Sequence, residues 1–251
     1  NGYDSDDFVR GDYGTQGSYG GRTANAMTYF LDKGYTQAEL YATSWGDTDT
    51  KNAVKRTHNC RDLLRLRRFV LAVLAYTGAA KVSLITHSMG VTLGRKIIKG
   101  GTVDGIDGAC NLGTPLTSKV DVFLGLAGAN FGLCGCEGTG ALEPTCNKHN
   151  GFWPGDNCGL NTLTCGLTPL PFPCNGPTYS TDDLILYADE VWGRPTSLIP
   201  TSGGKVVYKL YTHMQTKENT AADQYSMVAL KTLPSTNDKR ISASIIAEDE
   251  N

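Results

Sequence analysis

The segment best suited to chemistry is Thr86-His87-Ser88-Met89-Gly90. An apolar run at Val82–Ile85 predicts a strand before it, and the spacing of Val91–Lys99 predicts a helix after it. A serine in a sharp strand-to-helix turn is exposed and strained, which is the arrangement of a nucleophile elbow. The new helix directs its first N–H groups at the same point, so the Met89 N–H could donate to an oxyanion. We therefore predict Ser88 as the nucleophile.

The first position of this motif departs from the usual G-x-S-x-G pattern. Thr86 stands where that pattern has glycine, so the turn must accommodate a larger side chain. Gly90 keeps the last position, where we expect strand and helix to approach too closely for a side chain. The flanking strand and helix make the pentapeptide much more specific than it would be alone.

A serine hydroxyl needs a base to activate it, and the base needs a carboxylate to orient it. In proteins that carry a nucleophile elbow on a parallel sheet, the chain order is serine, acid, histidine. The acid and the base each lie just after the C-terminal end of a strand. Asp189 directly follows a predicted strand at Leu184–Ala188, so we predict it as the acid. Glu190 is the alternative, but its position is less favourable.

The predicted base is His213. It follows a predicted strand at Val206–Tyr211 and precedes the last predicted helix. The other histidines are less suited: His58 precedes a helix, His149 lies among cysteines, and the sharp turn is expected to direct His87 away from the site. The three predicted groups would perform a two-step acyl transfer on an ester, which requires no metal and no organic cofactor.

The remaining elements alternate between strands and helices. This alternation predicts an α/β fold with a mostly parallel sheet flanked by helices. A chain of 251 residues suits a single domain, 1–251, in which the Cys-, Pro- and Gly-rich residues 128–180 form an insertion at the loop edge of the sheet. The other predicted elements are helices at Thr23–Lys33, Cys60–Tyr76 (capped by Asn59) and Ala221–Lys231, and strands at Leu40–Ser44 and Val120–Ala127.

Charge and hydropathy exclude two classes of partner. The net charge of −2 lacks the basic excess that a nucleic-acid partner would require. The longest mostly apolar stretch, Phe69–Ala80, is shorter than the roughly 20 residues of a transmembrane helix. We therefore predict neither nucleic-acid binding nor a transmembrane segment.

The eight cysteines indicate an oxidising compartment, because they are even in number and six of them cluster in one loop-like stretch. Cys60 and Cys110 lie outside the cluster and are a candidate separate bridge. We therefore predict a disulfide-bonded, secreted protein, whose leader is removed or omitted because no signal peptide is visible. The clustered cysteines are Cys134, Cys136, Cys146, Cys158, Cys165 and Cys174; a zinc site at Cys134, Cys136, Cys146 and His149 is the less favoured alternative.

Four stretches resemble the lipase class 2 family, most closely its secreted, cysteine-rich branch. The resemblance implies an α/β-hydrolase fold and activity on carboxylic esters including acylglycerols, with triacylglycerol as the expected substrate. By position, Ser88, Asp189 and His213 match the family's triad, and family members also replace the first glycine of the elbow. The likeness covers about residues 23–229, and the four stretches are Tyr41–Asp47, Ile85–Val91, Gly113–Lys119 and Leu126–Asn130.

Two further expectations follow from the resemblance. In such lipases a His-Gly pair ends the first core strand, and the next residue donates the second oxyanion N–H. This chain begins Asn1-Gly2 with no predicted strand before it, so we expect a truncated N-terminus with Asn1 at or near the donor position. The apolar tip at residues 166–173 could form a lid that contacts a lipid–water interface, or it could be a stapled surface loop.

Two other functions stay open at this point. A secreted, non-catalytic binding protein could keep this fold without turnover; the predicted order of the triad argues against it, and the lack of a predicted first strand argues for it. A zinc-stabilised extracellular module is the third hypothesis, which depends on the cysteine cluster.

Overall fold

The computed structural model describes residues 26–47, 49–130, 132–133, 136, 142–153, 183–186, 203–208, 211, 213–234 and 240–241. In chain order the strands are β1 (Val82–His87), β2 (Thr102–Gly105), β3 (Gly108–Asn111), β4 (Val120–Leu126), β5 (Asp183–Leu186), β6 (Lys205–Tyr208) and β7 (Arg240–Ile241). The main sheet has the order β1-β4-β5-β6-β7, in which the first four strands run parallel and β7 pairs antiparallel with β6. Strands β2 and β3 form a separate antiparallel hairpin.

The α-helices of the described residues are α1 (Ala26–Asp32), α2 (Cys60–Thr77), α3 (Met89–Lys99), α4 (His213–Glu218) and α5 (Ala221–Val228). Short 3-10 helices lie at Gln37–Glu39, Thr50–Lys55, Thr117–Lys119 and Pro144–Cys146. The predicted cap of α2 is confirmed, since the Asn59 side chain accepts from the Asp62 N–H at 2.8 Å. No helix in the described part of the chain has the length and apolar character needed to span a bilayer.

Two apolar clusters place helices on both faces of the sheet, as the alternation of elements predicts. On one face, Phe30 of α1 and Met227 and Val228 of α5 pack against Leu124 and Leu126 of β4. On the other face, the buried leucines and valines of α2, α3 and the hairpin form the second cluster, which includes Leu63 and Leu93. Because β1 and β4 lie between these clusters, the ends of these strands are held rigidly.

Arg67 is a buried charge that the sequence reasoning did not single out. Its guanidinium donates to the Ile97 carbonyl at 2.5 Å and to the Thr114 carbonyl. These carbonyls belong to the last turn of α3 and to the loop after β3, so one side chain of α2 joins both segments. The arginine therefore fixes the far end of the helix that begins beside Ser88.

Two disulfides confirm that the four cysteines in the described part of the chain are oxidised. The predicted Cys60–Cys110 bridge joins the start of α2 to β3, and Cys136 is bonded to Cys146. A disulfide sulfur is not a thiolate ligand, so the alternative zinc set is wrong as proposed. The remaining clustered cysteines lie outside the described residues, as do the apolar tip 166–173 and much of the predicted insertion.

Several predicted boundaries are wrong. Leu40–Ser44 is no strand, since it pairs with none of the described strands. The hairpin of β2 and β3 was not predicted, nor was β7, which follows the strand predicted to be the last. The helix predicted to reach Lys231 ends at Val228, and Tyr211, the predicted end of the strand that begins at Val206, is not in a strand. In each case long-range pairing or packing decides the end of the element, and a local pattern does not contain it.

Candidate active site

Ser88 occupies a sharp turn between β1 and α3. Its backbone has φ 58° and ψ −132°, a conformation that non-glycine residues rarely adopt. The Ser88 N–H donates to the Leu126 carbonyl at 2.9 Å, and the Ser88 carbonyl accepts from the Val91 N–H at 3.0 Å. The Ser88 side chain does not cap the helix that it precedes. The turn is therefore the predicted elbow, held by β4 on one side and by α3 on the other.

The close approach of strand and helix occurs at Gly94 and Gly128. The prediction that Gly90 fills this role is wrong, because the nearest atom to a Cβ built there is 4.0 Å away. A Cβ at Gly94 would lie 2.9 Å from the Thr86 methyl carbon and 2.9 Å from the Phe123 ring. One at Gly128 would lie 2.7 Å from the Val91 side chain. Gly94 therefore makes room for the bulk that Thr86 adds to the elbow.

Met89 is the first residue of α3, so its N–H belongs to the first turn, where backbone donors have no partner within the helix. Its side chain is buried against Ala129 and Phe152. Ala129 belongs to the loop after β4, and Phe152 to the segment after the Cys136–Cys146 bridge. The N–H that sequence reasoning selected as an oxyanion donor is thus held from two sides.

His213 is the first residue of α4 and is buried. The sequence placed it between a strand and the last helix, whereas the structure gives it a short helix of its own. Hydrogen bonds tie α4 to α5: the Gln224 side chain donates to the Lys217 carbonyl at 2.9 Å, and the Thr220 hydroxyl donates to the Thr216 carbonyl at 2.6 Å. Since α5 packs on the sheet, the position of His213 is fixed relative to the strands.

His87 contacts His213 directly, which corrects the expectation that the turn directs the His87 side chain away from the site. The two ring centroids are 4.6 Å apart with planes at 46°, and His87 Nε2 lies 3.1 Å from the His213 carbonyl oxygen. Burial, and then the charges of His213 and Lys217, hold the pKa of His87 well below its ordinary value. The only signal in the sequence was its place beside Ser88.

His58 has a structural role near the start of α3. Its ring lies 2.8 Å from the Thr92 hydroxyl and 3.1 Å from the Asn150 carbonyl. It also contacts the Phe152 ring, with centroids 4.6 Å apart and planes at 34°. Burial lowers the pKa of His58. This histidine therefore joins α3 to the segment that packs on Met89.

Ser88, Met89 and His213 all line one cavity of about 1470 Å³, whose wall also includes Trp45 and Met214. Parallel strands β1, β4, β5 and β6 end at the same edge of the sheet, and the chain after β1 and β6 leads to Ser88 and His213. The structure thus brings two of the predicted triad residues to one cavity. Asp189, its alternative Glu190 and the predicted second donor Asn1 lie outside the described residues.

A metal centre finds no support in the described residues, among which no three His, Cys, Asp or Glu side chains are grouped so that they could hold an ion. At the surface, His149 Nε2 lies 2.5 Å from Asp104 Oδ2. Two ligands alone do not make a closed metal site.

Comparison with known proteins identifies the family. The family model described as lipase (class 2) matches residues 8–226, which is most of the chain and includes Ser88 and His213. A search of curated proteins finds no match. The match and the parallel sheet agree with an α/β-hydrolase fold and with a lipase- or esterase-type hydrolase that acts on an ester. The chain belongs to the lipase class 2 family.

Proposed function

We propose that this protein hydrolyses carboxylic esters, including triacylglycerols, by a serine acyl-enzyme mechanism. The observation that carries the proposal is the strained backbone of Ser88, which holds a serine at a strand-to-helix turn in the cavity that also contains His213. Strain of this kind persists where the surrounding structure enforces it, and it is frequent at active sites. Here the pairing of β1 with β4 and the packing of α3 enforce it.

Each residue has one role in the proposed reaction. His213 removes the proton from the Ser88 hydroxyl, whose oxygen attacks the ester carbonyl. The Met89 N–H donates to the oxyanion that forms, and we assign the second donor to Asn1. His213 then protonates the leaving alcohol, and a water molecule activated by the same imidazole releases the acid. Asp189 orients His213, and no metal or organic cofactor takes part.

The test compares matched serine variants on a soluble chromogenic ester. Ser88→Ala should lose activity by a factor of about 10³ or more, because the residual rate comes only from binding and the oxyanion donors. Ser83→Ala is the control, since Ser83 lies on β1, the strand that leads to Ser88, and lines the same cavity. Equal activity of Ser88→Ala and the native protein would refute the enzyme assignment and leave the non-catalytic binding protein.

Two further comparisons test the remaining members of the triad. His213→Ala should be inactive while His149→Ala, at an exposed histidine, keeps the native rate. Asp189→Asn should lower kcat strongly while Glu190→Gln does not; the reverse result would transfer the role of the acid to Glu190. Labelling by a serine-directed organophosphonate, with the modified peptide sequenced, should identify Ser88.

We also propose that the chain is one domain, 1–251, and that it acts outside the cell. The two disulfides support an oxidising compartment, because such bonds are rare in reducing ones.

We also propose that the apolar tip at 166–173 contacts the lipid–water interface. Replacing Leu167 and Phe172 by serine should lower activity on an emulsified triacylglycerol and leave activity on a soluble ester unchanged.

A further inference from the structure

The His87 side chain connects the strand that carries the nucleophile to the helix that carries the base. His87 is the last residue of β1 and precedes Ser88, and its ring lies on the ring of His213. The same imidazole reaches the backbone carbonyl of His213 through Nε2, at 3.1 Å. One side chain therefore contacts both the backbone and the imidazole of the proposed base.

The hydrogen bond defines the state of the His87 ring. A carbonyl oxygen can only accept, so the hydrogen must be on Nε2 of His87. The low pKa of His87 keeps the ring neutral, and a neutral ring with hydrogen on Nε2 has none on Nδ1. Among the described residues, the ionisable groups whose charge acts on this ring are His213 and Lys217, both on α4. Because both are cationic when protonated, they favour the neutral form of His87.

We propose that His87 is a positioning residue that fixes the proposed base, His213, relative to Ser88. Its Nε2–H holds the carbonyl of His213 in place at the start of α4, and its ring supports one face of the His213 imidazole. This inference rests on the proposed function, because it assigns to His87 the orientation of that base. Asp189 is proposed to orient the imidazole through a carboxylate, whereas His87 acts through the backbone and the ring face.

The magnitude follows from the geometric demands of proton transfer. A base must lie within hydrogen-bond reach of the proton that it removes, and a misplacement of about 1 Å can cost a factor of about 10² in rate. Loss of the carbonyl bond alone leaves the contact between the two rings, so we expect a decrease in kcat of about tenfold. The value of KM should stay near native, because His87 does not bind the substrate in this proposal.

The test compares two substitutions that separate the hydrogen bond from the ring. His87→Phe keeps an aromatic face but has no donor, whereas His87→Gln has an amide N–H that can reach the same carbonyl. We expect His87→Phe to lower kcat about tenfold and to slow organophosphonate labelling of Ser88 by the same factor. His87→Gln should recover most of both rates. His149→Gln, at an exposed histidine far along the chain, should behave as native.

Two results would overturn the inference while leaving the proposed function intact. One is a native kcat and labelling rate for His87→Phe in a protein that loses activity on Ser88→Ala and His213→Ala. The other is equal impairment of His87→Gln and His87→Phe, which would mean that packing alone is at stake. If Ser88→Ala and His213→Ala keep activity, the proposed function itself fails.

A measurement on the native protein makes the inference independent of whether the variants fold. The imidazole ¹⁵N spectrum at pH 7 should show one histidine locked with hydrogen on Nε2 and none on Nδ1. Spectra of His58→Gln and His149→Gln, each lacking one signal, help to assign it to His87. A His87 ring with hydrogen on Nδ1, or one protonated on both nitrogens, would contradict the proposed bond.

Discussion

The strain at Ser88 predicts that the nucleophile position costs stability. Its φ of 58° and ψ of −132° lie in a region that is nearly restricted to glycine, and a non-glycine residue there costs about 1–3 kcal/mol. Ser88→Gly removes this cost. Glycine also raises the conformational entropy of the unfolded chain, which offsets about 0.4–1 kcal/mol of the gain. The free energy of unfolding should therefore rise by about 0.5–2 kcal/mol while activity is lost.

The assay is thermal unfolding of native protein, Ser88→Ala and Ser88→Gly. With 251 residues and an unfolding entropy of about 2.1 cal/mol/K per residue, 1 kcal/mol corresponds to about 2 °C in Tm. Ser88→Gly should melt about 1–4 °C above Ser88→Ala, which lacks the hydroxyl but keeps a Cβ in the strained conformation.

The same exchange at Ser83 is the matched control. Ser83 lies in the extended part of β1, where a glycine costs about 0.5–1 kcal/mol, so Ser83→Gly should melt lower than native. Opposite changes in Tm at Ser83 in β1 and at Ser88 in the turn after it would identify the backbone conformation as the cause. If Ser88→Gly melts no higher than Ser88→Ala, the elbow is not strained and the reasoning fails.

The remaining predictions concern the supports of the site. Arg67→Met should lower the free energy of unfolding by about 2–5 kcal/mol, because two carbonyls lose their donor; an unchanged urea midpoint would contradict it. Replacing Cys60 and Cys110 by alanine opens a loop of separation 50 and should cost about 4 kcal/mol, and a loss below about 1 kcal/mol in thermal melts would argue against the chain-entropy model. His58 and His87 have lowered pKa values, so their contribution is full at pH 7 and is lost as the pH falls below about 6.5, since only the unfolded chain then binds the protons. In His58→Gln and His87→Gln, the free energy of unfolding should fall less steeply between pH 6.5 and 5 than in the native protein, by up to about 1.4 kcal/mol per pH unit. Equal slopes in variant and native protein would disprove this.

Local sequence signals predicted the helix cap, the turn and the strand end that lie around the site. The predicted cap Asn59 starts α2, because capping is a property of single residues. The serine between an apolar strand and a helix was recognisable for the same reason. Helix α2 ends at Thr77, before Gly78 at φ 66° and one residue beyond the predicted end. His213 could be placed after β6 because parallel strands end at one edge of the sheet.

Contacts between distant segments could not be predicted from local sequence patterns. Gly90 was expected at the close approach, but Gly94 of α3 and Gly128 of the loop after β4 are the glycines that face neighbouring side chains. The apolar segment Leu40–Ser44 has strand-like residues but no described partner, and a strand is defined by its pairing. The contact of His87 with His213 joins residues 126 positions apart, so no local pattern could indicate it.

The replacement of glycine by Thr86 predicts an energetic coupling within the elbow. A Cβ at Gly94 would lie 2.9 Å from the Thr86 methyl carbon and equally close to Phe123, so Gly94→Ala should cost about 1–3 kcal/mol by overpacking. Thr86→Ser removes that methyl and keeps the hydroxyl that donates to the Leu124 carbonyl at 3.3 Å. The double variant should therefore recover about 1 kcal/mol of the loss, but not all of it, because Phe123 remains.

A double-mutant cycle in urea measures this coupling, and kcat of the same four proteins reports whether α3 has moved. Because Met89 begins α3, a helix displaced from the sheet carries the proposed oxyanion donor with it, and kcat should fall in Gly94→Ala and recover with stability in the double variant. If the changes in unfolding free energy of Gly94→Ala and Thr86→Ser simply add in the double variant, the Thr86 methyl does not depend on the space at Gly94. If Gly94→Ala has native stability and native kcat, the helix can accept a methyl group at this position. The close packing of α3 on β1 would then have no part in placing the Met89 N–H.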